Sequence, residues 1–143
     1  MKNTDFDIYT SFVSPYTWNK LVKERNYLPI IAVRNIKDSS LIGKFSNTAV
    51  HFKEFSPSNE LFRAKRNGEI SLEEFKKKYL IELSKTSIYS NVEKMYQLFN
   101  VSGASGIVIF GYGSDYNSCH RSVLSEMLNL MEVFEEEIKE YKV

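Results

Sequence analysis

Cys119, His120 and Arg121 stand side by side where an apolar segment, Gly106-Ile107-Val108-Ile109-Phe110, gives way through a polar connection to a long helical pattern. Cys119 is the one cysteine of the chain and His120 is one of its two histidines. A thiol at the start of a helix lies among unpaired backbone N–H groups and the positive end of the helix dipole. Both favour thiolate, which makes Cys119 a candidate nucleophile. His120 is a candidate acid or donor, while Arg121 brings a forked donor suited to phosphate or carboxylate and counts with Ser122 among the anion-binding candidates. Neighbours on a helix point about 100° apart, so Cys119 and His120 are not a catalytic pair by adjacency alone.

Plainer roles compete for each residue. A lone cysteine is often a small buried hydrophobe, His120 can satisfy a backbone carbonyl, and Arg121 can pair with an acidic neighbour or cover the end of a sheet. Several chemistries are excluded. A Cys-x5-Arg phosphate loop needs arginine at position 125, which is serine. Cys119, His51 and His120 are too few for a closed zinc site. Gly111-x-Gly113 starts like a dinucleotide fingerprint, but Asp115, Tyr116 and Asn117 follow where the third glycine and helix start belong. No metal and no cofactor is expected.

Other candidates flank this motif. Tyr9, Thr10 and Ser11 close the first predicted strand, at the edge where open α/β sheets bind ligands, and are expected to face the same crevice as Cys119. Ser58, at a second helix start, is a further anion ligand. Tyr112 and Tyr116 are aromatic candidates for contact with a partner or substrate. Tyr79 reads as core with a tethered hydroxyl. Arg63, Lys65, Arg66 and Lys76 to Lys78 form either a solvated face or a ridge that follows nucleic-acid phosphates.

The elements that must position these residues alternate. Phe6 to Thr10 reads as a short strand, and Ser14-Pro15 caps a helix running to about Arg25. Leu28 to Val33 reads as a buried strand with Pro29 at its start. A polar loop from Arg34 precedes a short strand near 48–52. Pro57-Ser58 opens a helix closed by Asn67-Gly68. Ser71 and Glu74 make a capping box for a helix burying Leu72, Phe75, Tyr79, Leu80 and Leu83. A helix over 91–99 follows, with Val92, Met95, Tyr96 and Phe99 as its stripe. The last predicted helix runs from Arg121 to about Tyr141, burying Val123, Leu124, Met127, Leu128, Leu130 and Met131.

A length of 143 residues suits one domain, 1–143, and the alternation predicts an α/β fold: a small open, mainly parallel sheet covered by helices, a Rossmann-like three-layer arrangement. Nineteen Lys and Arg against 18 Asp and Glu give no global field for nucleic acid or membrane. One cysteine, no signal-like start and no apolar span point to a reducing, cytoplasmic setting away from membranes. The apolar face of the last helix leaves monomer and homodimer open.

The order of four segments adds a family resemblance. Ile8-Tyr9-Thr10-Ser11, Phe55-Ser56-Pro57-Ser58 with Glu60-Leu61, Gly68-Glu69-Ile70-Ser71 with Glu74-Phe75 and Tyr79, and Cys119-His120-Arg121-Ser122-Val123-Leu124 resemble the family called domain of unknown function 488 over nearly the whole chain. The resemblance implies an α/β fold found in bacterial, archaeal and phage proteins, without an established activity. Members usually carry a cysteine, an aromatic and a glutamate where this chain has Gly111, Tyr112 and Gly113. Two functions follow as expectations. One is a phosphate or anion site at Cys119-His120-Arg121 acting on a nucleotide or nucleic acid. The other is an eroded, non-catalytic module that binds a protein partner, such as a phage or mobile-element protein acting on a host component.

Overall fold

The computed structural model describes residues 7–32, 49–85, 88–111, 120–130 and 137–141. Five parallel strands form one sheet in the order β3-β2-β4-β1-β5, where β1 is Asp7–Phe12, β2 Tyr27–Ile31, β3 Val50–His51, β4 Gly106–Gly111 and β5 Lys139–Glu140. On one face lie α1 (Pro15–Trp18) and the π-helical segment Asn19–Glu24 that continues it, packing Trp18 and Leu21 on Val108 and Phe110. On the other, α2 (Asn59–Arg66), α3 (Leu72–Lys85), α4 (Ile88–Ser102) and α5 (His120–Leu130) pack on Ile8, Ile30, Ile107 and Ile109. These are the three layers of the predicted α/β fold.

The local signals act as their chemistry requires. Ser14 caps α1, its oxygen accepting from the Thr17 amide at 3.0 Å, while the Ser14 amide donates to the Thr17 hydroxyl at 2.9 Å. Ser58 caps α2, and Gly68 follows its end with φ +75°, open to glycine at little cost. The Glu74 amide donates to Ser71 at 3.1 Å at the head of α3. Phe75, Tyr79 and Leu83 are buried, whereas Leu72 faces outward. The α4 stripe of Val92, Met95, Tyr96 and Phe99 is buried as its spacing predicts. The Tyr79 hydroxyl is tethered to the Phe55 carbonyl.

Two expectations need correction. Pro29 stands in the middle of β2, not at its start. The ladder explains this. The Ala32 amide donates to Phe110 on β4, and the Ile31 carbonyl accepts from Phe52 beside β3, so odd-numbered residues of β2 direct their peptide groups towards β3. There β3, among the described residues, pairs only with Ile30 and Ile31, so Pro29 breaks no described ladder bond. The last helix, secondly, is described over His120–Leu130 and does not reach Tyr141, and Leu130 is exposed. Residues 139–140 form β5 beside β1. The Asn129 side chain spans the reversal, accepting from the Ile138 amide at 2.9 Å and donating to its carbonyl at 3.3 Å. Met127 and Met131 lie outside the described side chains.

Candidate functional site

The connections out of β1 and β4 diverge. From β1 the chain moves towards the β3 edge and its helix lies on the Tyr9 face; from β4 it moves towards β5 and α5 lies on the Ile8 face. Crossovers of one handedness that run in opposite directions must use opposite faces. Adjacent parallel strands that send their helices to opposite faces define a topological switch point, and open α/β sheets bind ligands in the crevice beyond the carboxyl ends of such strands. The exit of β1 and the end of β4 are joined there by a hydrogen bond from the Val13 amide to the Gly111 carbonyl, at 3.2 Å. α5, described from His120, belongs to the same edge.

Under the first turn of α5 lies a charge cluster. Arg121 is wholly buried, and its Nε and Nη2 donate to Glu140 Oε1 and Oε2 at 3.2 and 2.9 Å. Thr10 donates its hydroxyl to Glu140 Oε1 at 2.8 Å. The pleat and register put these groups together, since Thr10 and Glu140 are directly paired residues of β1 and β5. A two-point arginine-to-carboxylate contact fixes both orientation and distance. Of the pair, only Glu140 keeps contact with solvent, over 14% of its side chain, against 0% for Arg121.

The pleat also separates residues that stand together in sequence. Tyr9 lies on the opposite face from Thr10, stacked on Tyr27 at 6.0 Å between ring centres and edge-on to Tyr141 at 5.8 Å. Tyr9 and Thr10 therefore do not share one crevice, contrary to expectation. Ser11 is buried and donates to the Phe12 carbonyl at 2.8 Å. Ser58 is tied to α3, donating its hydroxyl to Glu82 Oε2 at 2.5 Å and its amide to Oε1 at 2.8 Å. Ser122 is half-buried, and its carbonyl accepts from Ser125 at 3.0 Å. Cys119, Tyr112, Tyr116 and the side chain of His120 lie outside the described residues. Glu140 is the site residue the sequence reading missed, because the acidic run before it reads as the end of a helix. Its one signal is the alternation Ile138, Glu140 against Lys139, Tyr141.

The basic ridge is partly compensated. Lys77 and Lys78 pair with Glu73 and Glu74 one turn earlier, at 3.7 and 3.4 Å, and Lys65 lies 4.9 Å from the centre of the Phe75 ring. Among the described residues no group of three or more His, Cys, Asp or Glu is placed to hold a metal ion, and no helix is long and apolar enough to cross a membrane.

Fold and site together define an open α/β domain with a charged cluster on β1 and β5, beside its topological switch point. A family model described as the active DUF488-N3 subclade matches residues 22–132, most of the chain, and the protein belongs to this family. The match contains Arg121 but neither Thr10 nor Glu140. Neither the curated proteins nor the solved structures gave a match.

Proposed function

We propose that this domain binds a phosphate-bearing ligand, a nucleotide or a segment of nucleic acid, in the crevice at the carboxyl ends of β1 and β4. In this reading Cys119 and His120 meet the ligand at the start of α5, and Arg121 supplies the cationic wall. The observation that carries it is a buried guanidinium near the start of the described span of α5, held beside β1, one of the two strands of the switch point. Backbone N–H groups at a helix start and a fixed positive charge beside them favour the same class of ligand. A thiol in that field would be drawn towards thiolate, which makes Cys119 a useful reporter whether or not it reacts with substrate.

The alkylation rate of Cys119, measured across pH with and without AMP, inorganic pyrophosphate and short oligonucleotides, tests the proposal. Reaction that begins below the ordinary thiol range and is slowed by one of these ligands supports it. Reaction unaffected by every ligand at millimolar concentration removes it. The two-point engagement of Arg121 by Glu140 favours a second reading, in which the cluster is purely architectural and the protein engages a macromolecular partner through Tyr112 and Tyr116. That reading requires Tyr112→Ala and Tyr116→Ala to abolish partner capture while Arg121 variants that remain folded keep it.

A further inference from the structure

The carboxylate of Glu140 occupies the position on Arg121 that a ligand phosphate would take. Three hydrogen bonds converge on it, from Arg121 Nε, Arg121 Nη2 and Thr10 Oγ1. The strand that carries it is an edge strand of two residues, and the Tyr141 amide bonds back to the Thr10 carbonyl at 2.8 Å. Arg121 has no exposed surface, whereas Glu140 reaches solvent. An anion approaching the guanidinium from that side must therefore take the place of the Glu140 carboxylate. A buried ion pair stabilises a fold no better, in general, than well-packed apolar residues would. Leu124 and Leu128, which follow Arg121 on the same face of α5, make such a surface, so stability alone gives no reason for the charge at Arg121.

We infer that Glu140 is an internal counter-anion that holds Arg121 in the resting protein and releases it to the phosphate of an incoming ligand, making β5 the gate of the site. The inference rests on the phosphate-binding reading above. The exchange replaces one forked acceptor with another and leaves the guanidinium compensated at both ends. Glu140 turns into the solvent it already touches. Because the carboxylate is tethered, it competes at high effective concentration, so the apparent affinity for ligand falls by the fraction of molecules in which Arg121 is free.

Glu140→Gln keeps the shape and an acceptor oxygen but removes the competing charge. Thr10→Val removes one of the bonds holding the carboxylate without altering any charge. Binding of inorganic pyrophosphate and AMP, followed calorimetrically on the full-length chain and both variants, with folding checked by circular dichroism, separates the possibilities. The expected result is binding tightened roughly tenfold or more by Glu140→Gln and by a smaller factor in the same direction by Thr10→Val. Wild-type binding that both variants leave unchanged or weaken overturns the gate while the phosphate site stands. No binding of either probe by wild type or any folded variant overturns the site and the gate together. Should Glu140→Gln not fold, the Thr10→Val result decides alone.

Discussion

Arg121 shows how a residue chosen for its chemistry can be constrained by its partner. A guanidinium with no exposed surface must be compensated, and Glu140 does so through two contacts. Arg121→Ala removes both guanidinium bonds to Glu140 and leaves a cavity under α5, with Thr10 still donating to the carboxylate, and is expected to cost about 3 kcal/mol, read as a fall in melting temperature of roughly 10 °C. The double variant Arg121→Met with Glu140→Leu removes both charges and should recover most of that loss while eliminating phosphate binding. Equal instability of the single and double variants would show that the pair matters only as packing volume. Gly106 poses a steric constraint of a different kind. A Cβ there would lie 2.7 Å from the Tyr27 ring and 2.9 Å from the Asp7 backbone oxygen, and the second atom cannot swing aside. Gly106→Ala is expected to destabilise by about 1–3 kcal/mol in urea unfolding. A neutral result would mean that β1 and β4 can separate locally without loss.

Among the elements, β2 exploits that glycine. Tyr27 crosses over Gly106 to donate to Asp7 Oδ2 at 3.2 Å and to stack on Tyr9, two strands away. Burial first, and then the Asp7 charge, hold the Tyr27 hydroxyl above its ordinary value of 10.0. Unfolded chains release this proton first as pH rises, so they bind fewer protons than the native state, and stability must decline from about pH 10 upward. Tyr27→Phe is expected to lower stability by about 1 kcal/mol at neutral pH and to flatten the alkaline decline, measured as urea midpoints between pH 8 and 11. An unchanged alkaline slope would assign the decline to other tyrosines. Elements with strong local signals were legible in the sequence: the Ser14 and Ser58 caps, the Asn67-Gly68 stop and the α4 stripe all stand where their chemistry placed them. β5 was not legible. The alternation over 138–141 is too short to outweigh the acidic run shortly before it, which continues a helical composition. For the same reason Arg121 was visible as an anion ligand, but its partner 19 residues later was not.

For the whole molecule, the chain order hides its own centre. β4 follows three of the other strands in sequence yet inserts between β1 and β2, so the sheet closes only when residue 106 meets residues 7 and 27. A local pattern carries no trace of that insertion, which is why β1 to β4 could be read and the strand order could not. All six residues of β4 are buried, with helices on both faces and a partner along each side. The amides of Ile107 to Phe110 should therefore exchange with solvent only through global unfolding. At the edges, β3 and β5 have two residues each, and the Phe52 and Tyr141 amides reach Ile31 and Thr10 across single-sided pairings. These should exchange through local openings well below the global free energy. Native-state hydrogen exchange in increasing denaturant checks the order: Phe52 and Tyr141 merge last, if at all, with the β4 isotherm. If Tyr141 instead exchanges in step with β4, then β5 is a fixed part of the sheet and release of Arg121 falls to rotation of the Glu140 side chain alone. A Tyr141 amide that opens locally, and becomes protected when Arg121 and Glu140 are both replaced by apolar residues, would tie the mobility of the edge to the exchangeable ion pair.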